Sequence, residues 1–538
     1  MRRRFAGLVA LLAILLAEGA SAAVTTVDQQ GTTLIDGQKV FPIVLAKGPE
    51  RDGLTPTGAD ALDEVVAAGV NFFKVGPAAR PWWPEDKADA VAWNQEAAER
   101  GVYTWVNLAT LADATPDTPV KDARLREVIG LLEDDPAMAM WKGADEPFWS
   151  GFPPAALQYA YCVATSRGEA GWCQQPADEE HLWVTIQAPR GTPSQLAPYS
   201  AVTDIHGIDH YPVTYQNPTP DLHEVGVWTN AIASITPNRA VWTTLQVCAS
   251  GSSGPDGQYV LPTRRQERYM IYDAILNGAR SLAFYGGNID RCWNPRDTAL
   301  RWNWTFWDDV LKDLIREINA DSPIAPALVK PESTKVLASS DATTQVISRE
   351  GVDGELWVIA ARHGPGSGPL TISGLPSTAR IGTVYTEGRS VALAGGSFTD
   401  TFAQWDVHVY RFDTAPAPPP LAAPPPSPPP VLPPPPAPPP AGAPPPASRF
   451  TRDASPPNTR LTASPSRRTR GHRAKFRFVS TEAGSSFQCK LDRRRWTACR
   501  SPQEYRRLTK GLHVFRVRAR DTAGNADPTP AVRSWRIR

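Results

Sequence analysis

Between residues 41 and 286 the sequence repeats one pattern eight times: a short apolar run, then in most cases a stretch with helical spacing. The runs are 41–46, 70–75, 102–108, 137–143, 182–187, 204–211, 240–247 and 281–286. Residues 56–68 carry Ala61, Leu62, Val65 and Val66 on one helical face, and 88–100 and 120–132 do likewise. Residues 262–278 form an amphipathic pattern closed by Gly278, and 304–318 set Phe306, Val310, Leu311, Leu314 and Ile315 on one side. Strands that alternate with helices make a parallel sheet covered by those helices. Eight such units over about 280 residues match a closed (β/α)8 barrel in count and size. A doubly wound open sheet is the competing arrangement. It calls for a glycine-rich phosphate loop after the first strand, and Leu45-Ala46-Lys47-Gly48-Pro49-Glu50 carries no such fingerprint.

Pro and Ala dominate residues 415–447, with runs such as Pro433-Pro434-Pro435-Pro436. Such a stretch buries no core and is expected as an extended polyproline II spacer. It divides the chain into a barrel (23–325) with a small antiparallel β-sandwich (326–413), a linker (414–454) and an all-β tail (455–538). The sandwich is expected from strand-like runs at 336–337, 345–348, 355–360, 370–372 and 407–410, set between turn residues. At the other end, Met1-Arg2-Arg3-Arg4, an apolar run and Ser21-Ala22-Ala23 form a signal peptide over 1–22. Its apolar run is too short to cross a bilayer, and no later segment has that length, so a secreted chain with no stable membrane span is expected.

An exported chain allows its six cysteines to pair. Proximity suggests Cys162 with Cys173, Cys248 with Cys292 and Cys489 with Cys499, among about 15 connectivities. The cysteines are scattered, without His-rich or C-x-x-C spacing, so no metal site is expected and no cofactor is implied. The net charge of +1 hides an asymmetry: residues 448–538 hold 23 Lys and Arg against 6 Asp and Glu, and the remainder 33 against 49. A strongly basic unit outside a cell suits an anionic cell-surface polymer as partner. Nucleic acid is not expected, because no recognition motif is present and the arginines alternate along strands as on a solvated face. The segments Phe487-Gln488-Cys489-Lys490-Leu491-Asp492, Trp496-Thr497-Ala498-Cys499, Gly511-Leu512-His513-Val514-Phe515 and Asp521-Thr522-Ala523-Gly524-Asn525 resemble a bacterial immunoglobulin-like domain. That resemblance implies a sandwich used for display or adhesion, without catalytic residues.

The active site of such a barrel lies at the C-terminal strand ends. The fourth run ends Trp141-Lys142-Gly143-Ala144-Asp145-Glu146-Pro147-Phe148-Trp149. An acidic pair among aromatic walls raises a carboxyl pKa and fits a general acid. At this point the chain resembles the retaining glycoside hydrolases of the large (β/α)8 clan that includes cellulases and β-galactosidases. In that clan a strand-four Asn-Glu-Pro or similar carries the acid/base, which implies Glu146 in that role. Asp145 stands where the clan has Asn, whose usual partner is the sugar 2-hydroxyl. The same two acids also read as a helix N-cap and first-turn pair, or as an ion pair with Lys142.

The sixth run, Gly207-Ile208-Asp209-His210-Tyr211-Pro212, is similar to the clan's strand-six segment and makes Asp209 and Tyr211 site candidates, with His210 a packed loop residue on the other reading. The seventh, ending Leu245-Gln246-Val247, places Gln246 where the resemblance implies a Glu nucleophile. An amide cannot replace one of the two carboxyls that hydrolysis needs. Another acid such as Asp209, Asp256 or Asp290 then supplies the second carboxyl, or the register differs, or the barrel binds glycan without cleaving it. Trp82, Trp83, Trp105, Trp149, Tyr211, Tyr285 and Trp293 fall near strand ends, where rings stack on the apolar faces of sugars. The resulting expectation is a secreted glycoside hydrolase acting on a polysaccharide or oligosaccharide. Glu146, Asp145 and Asp209 are its candidate catalytic carboxyls, and Trp82, Trp105, Trp149, Tyr211, Gln246, Tyr285 and Trp293 its candidate substrate contacts. The alternative is a non-catalytic glycan-binding or cell-surface protein on a degenerate hydrolase barrel.

Overall fold

A computed structural model describes residues 23–413 and 457–537, apart from 218, 249–259, 353, 377–378, 380, 466–467, 470, 483, 492–495, 523–524, 526 and 528–530. The expected signal peptide and the whole of the proline-rich linker lie outside the described residues. The chain divides into two compact units between Ala423 and Pro424.

In the first unit eight strands close a parallel barrel in sequence order. They are β1 (Ile43–Leu45), β2 (Phe72–Val75), β3 (Tyr103–Asn107), β4 (Met138–Asp145), β5 (Leu182–Gln187), β6 (Ile205–Asp209), β7 (Ala240–Gln246) and β8 (Ser281–Tyr285). Closure is made by β8 on β1, with Leu282 opposite Ile43. All eight expected strands are present, and the open-sheet alternative is set aside. Side chains alternate across a strand, so every second residue points inward. Val44, Phe72, Trp105, Met140, Val184, Ile205, Trp242 and Ala283 accordingly form one buried cluster, with a side chain from every strand. Trp105 and Trp242 meet edge to face at 5.4 Å, and Phe72 meets Trp242 at 6.2 Å. The barrel is therefore a filled core and not a pore. At its N-terminal end a three-stranded antiparallel sheet (Thr25–Val27, Thr33–Ile35, Gln38–Val40) joins that core through Ile35.

The helices are α1 (Ala61–Ala68), α2 (Pro84–Arg100), α3 (Pro119–Leu132), α4 (Gln158–Thr165), α5 (Glu224–Ile235) and α6 (Arg264–Leu276). The first begins later than its apolar pattern suggests, because the Asp60 carboxylate caps it by accepting from the Asp63 backbone N–H. The second begins earlier, with Pro84 in its first turn, where a missing N–H costs nothing. Residues 304–318 are not one regular helix. A π-helical turn over Trp307–Leu311 interrupts them and keeps Trp307, Val310 and Leu311 all buried.

The β-sandwich has a five-stranded and a three-stranded sheet. Its buried Ile347, Trp357, Ile359, Ala361, Val407 and Val409 belong to the same hydrophobic cluster as the barrel helices. Buried Arg349 donates to the carbonyls of Leu328 and Lys330 at 3.0 Å, and Arg268 pairs with Glu317 at 2.7 Å while donating to the Val407 carbonyl. The second unit is all-β, with sheets of three and five strands around Phe476, Phe478, Phe515, Val517 and Trp535. Along Arg473–Ser480 the exposed Arg473, Lys475 and Arg477 alternate with buried Ala474, Phe476 and Phe478. The disulfides are Cys162–Cys173, Cys248–Cys292 and Cys489–Cys499, as proximity suggested.

One buried carboxyl has no such satisfaction. Glu267 on α6 is fully buried and neither carboxyl oxygen has a hydrogen-bond partner among the described residues. Burial raises its pKa well above the ordinary carboxyl value, so stability falls as pH rises from about 4.5 toward the folded pKa. Glu267→Met is expected to stabilise the protein by about 1–3 kcal/mol at neutral pH and by less near pH 4.5, measured as urea midpoints at both.

Candidate active site

The inward rows that fill the barrel continue one step beyond the aromatic layer, and there they turn polar. A cavity of about 230 Å³ opens at the C-terminal strand ends. Its wall includes Lys74 of β2, Lys142 of β4, Asp209 of β6, Thr244 of β7 and Tyr285 of β8, with Ala46 just after β1. Trp105 and Ile186 of the barrel core provide its apolar floor, and Asp145, Glu146 and Tyr211 complete it.

The acids reach this position through a bulge. Lys142 lies opposite Val184, but Asp145 lies opposite Ile186, so β4 holds one residue more than β5 over the same span. A bulge re-aims the side chains that follow it. Gly143 lies within it, where a Cβ would collide with the Trp183 indole. After the bulge Glu146 adopts a left-handed φ of 48°, sparsely populated by a residue with a side chain, while its N–H donates to the Ile186 carbonyl at 2.7 Å.

Glu146 and Asp209 both line the cavity and lie close enough for each carboxyl to act on the ionisation of the other. Two neighbouring carboxylates disfavour each other's ionisation. Burial, then the charges of Glu146 and Asp145, push the Asp209 pKa well up, and a proton resides there. Burial also raises Glu146, opposed by its bond to Asp209. The Tyr211 hydroxyl donates to Asp209 Oδ2 at 3.2 Å, and its ring stacks on Tyr285 at 5.7 Å. Asp145 is different. Burial pushes it up, but the Lys142 and Lys74 charges outweigh that and hold it below the usual carboxylate range. Its Oδ1 lies 2.5 Å from Lys142 Nζ. The ion-pair reading of Asp145 is the one the geometry adopts, with its side chain still open to the cavity.

Four expected contacts stand elsewhere. Trp82 is fully buried beneath Gly76, where a Cβ would lie 2.6 Å from its ring, and Nε1 donates to the Asn107 carbonyl at 3.1 Å. Its apolar surface is used in the core. Gln246 is fully buried and forms two 2.9 Å hydrogen bonds with the backbone of Val213, Nε2 donating to the carbonyl and Oε1 accepting from the N–H. It pins the loop after β6 and is no amide substitute within the cavity. Trp293 bonds through Nε1 to the Gly287 carbonyl and lines no part of the cavity. Trp149, 52% exposed, also lies off the cavity wall, with the Arg190 guanidinium 3.9 Å from its ring centroid. Tyr211, Tyr285 and Trp105 do line it. His210 turns away to Glu224, at 3.0 Å. Asp290 is exposed outside the cavity, and Asp256 lies outside the described residues.

Sequence reasoning missed Lys74 as a site residue and saw Lys142 only as an ion-pair partner. The available signal was parity: Lys74 follows inward Phe72 by two residues, and Lys142 follows inward Met140 by two. Among the described residues no group of three or more His, Cys, Asp or Glu is placed to hold a metal ion, and no helix is long and apolar enough to cross a membrane.

The protein is thus a (β/α)8 barrel with a carboxyl pair and two lysines at the C-terminal mouth. No family model matches its sequence, and no curated protein matches it. Solved structures similar to the chain include one described as a glycoside hydrolase, 11% identical, covering 73% of this chain and 97% of that chain with a TM-score of 0.48. A glycoside hydrolase family 5 protein from Bacteroides vulgatus is 13% identical, covering 73% of this chain and 93% of that one with a TM-score of 0.48. An α-amylase from Geobacillus thermoleovorans, solved with acarbose, is 11% identical, covering 69% and 98% with a TM-score of 0.43.

Two outcomes separate these assignments. Asp209→Asn removes a carboxyl whose folded pKa is raised, so its stabilising effect is absent below about pH 4 and grows as pH rises, to about 1–3 kcal/mol at neutral pH. Melting at pH 4 and pH 7.5 checks this. Gln246→Glu is expected to cost about 1–3 kcal/mol in urea unfolding, because the Val213 carbonyl loses its donor, with no gain in hydrolysis.

Proposed function

We propose that the protein is a secreted glycoside hydrolase that cleaves O-glycosidic bonds with Glu146 and Asp209 as its catalytic carboxyls. The observation that carries this is the placement of two carboxyls, Glu146 and Asp209, in one cavity at the barrel mouth, with Asp209 buried and hydrogen-bonded by Tyr211. Glycoside hydrolysis requires one protonated and one ionised carboxyl at the scissile bond, and burial together with the charge of Glu146 favours the protonated form of Asp209 beside it. Glu146, the less buried of the two, is the general acid/base: it takes up the proton that Asp209 holds, delivers it to the leaving group and recovers one from the attacking water. Asp209 becomes the carboxylate facing the anomeric carbon. Tyr211 orients Asp209, and the Tyr285 ring offers a face for the sugar. The basic n-region, the apolar run of residues 5–17 and three disulfides support export. The outward Arg473, Lys475 and Arg477 support attachment of the tail to an anionic cell-surface polymer.

The alternative, a barrel that binds glycan without cleaving it, drew on Gln246 as a lost nucleophile, and that side chain is committed to the Val213 backbone. The test is hydrolysis of aryl glycosides and polysaccharides by the native protein beside Glu146→Gln and Asp209→Asn. Each substitution is expected to lower kcat by about 10²–10⁴-fold, with a bell-shaped pH profile in the native protein. Glycan binding without turnover by the native protein would reverse the assignment.

A further inference from the structure

The proposed hydrolysis accounts for the acidic side of the cavity and leaves its basic side unused. Lys74 and Lys142 both line it, from β2 and β4. Lys142 is neutralised by Asp145 at 2.5 Å. Lys74 is not: among the described residues its Nζ has no hydrogen bond and no ion pair, although it stands directly above the Phe72 layer of the barrel core. The charged groups that act on it are Lys142, Asp145, Lys47 and Asp209. Burial first, then the Lys142 charge, lower its pKa to about 8, so it is still mostly an ammonium at neutral pH. A half-buried ammonium that feels Asp145 and Asp209 only at a distance, with no direct hydrogen-bond or ion-pair partner among the described residues, is costly to hold, and its place at a wall of the cavity supplies a use for that cost.

We propose that Lys74 receives the carboxylate of a hexuronic acid residue, so that the substrate is an acidic glycan whose uronate ring occupies the cavity between Lys74 and the Glu146–Asp209 pair. This rests on the glycosidase reading and names its substrate class. The ligand must be anionic, because the unpaired group is a cation. It must also be small, because about 230 Å³ lies below the usual range for ligand pockets and suits one ring. A carboxylate at C6 replaces a hydroxymethyl group with little added bulk, which a sulfate or phosphate ester does not. Charge-assisted pairing with an ammonium in a recessed site then discriminates uronide from neutral sugar by about tenfold to a hundredfold.

Matched aryl uronides and aryl glycosides of gluco and galacto configuration, in both anomers, provide the test. The native protein is expected to show a kcat/KM at least tenfold higher for a uronide than for its neutral counterpart, and Lys74→Met to bring that ratio close to one. The KM for the uronide is expected to rise above pH 8, as the ammonium is lost, more steeply than that for the neutral glycoside. Lys74→Met is also expected to melt higher than the native protein at pH 7, so that lost selectivity is not lost folding. The sign follows from a folded pKa below the unfolded one: the destabilisation is full below pH 8 and fades toward pH 10.5. Equal rates on both sugars, an equal loss on both in Lys74→Met, or a preference for 6-sulfated sugar overturns the proposal. Should no glycoside be turned over, calorimetry with free glucuronate and galacturonate against glucose and galactose tests it alone. Uronate binding that Lys74→Met abolishes upholds the pocket without the hydrolysis, and no preference for uronate sinks it.

Discussion

Packing of Phe72, Trp105 and Trp242 across the barrel axis is the contact on which the site depends. Rings of this size fill the space that eight strands enclose, and the strands hold their register around them. The layer also forms a floor. One step above it, inward Ala46, Lys74, Lys142, Ile186, Thr244 and Tyr285 meet the cavity. Trp105 belongs to both levels: it is buried in the core cluster and its edge forms part of the cavity wall.

Above that floor the protein concentrates charge that it cannot fully solvate. Lys142 and Asp145 pair at 2.5 Å, Glu146 and burial raise the pKa of Asp209, and Lys74 has no direct hydrogen-bond or ion-pair partner among the described residues. Each arrangement is costly in the free protein, and the left-handed backbone at Glu146 adds to the cost. Stability for these groups comes from elsewhere, from the continuous apolar core that joins barrel helices to the sandwich. Arg349 and Arg268 fasten that junction by donating to backbone carbonyls as well as to a carboxylate. The sandwich thus extends the support of α6 without contributing a residue to the cavity.

Most of the architecture was legible in the sequence, because strand and helix periodicity are local properties. All eight strands were readable, and their ends differ from the apolar runs by no more than two residues. The cysteine pairs were readable from proximity because each partner lies within a short or adjacent stretch. The site was legible in part. Glu146, Asp209, Tyr211, Tyr285 and Trp105 stand in or around the cavity as expected, since strand-end position in a barrel carries over directly to the mouth.

What the sequence by itself determined was the barrel, its attached β units and the acidic strand end at Asp145 and Glu146, since these follow from repeat, composition and parity along a single strand. The tertiary structure alone decided which side chains share a space. Trp82 and Gln246 stand near strand ends, yet one is consumed by the core beneath Gly76 and the other by the Val213 backbone. The closeness of Glu146 and Asp209, which lie 63 positions apart, and the isolation of Lys74 depend on the bulge at Gly143 and on closure of the barrel. Those are distances through space, and one carboxyl raises the pKa of another, or an ammonium is left without a partner, only through distances of that kind.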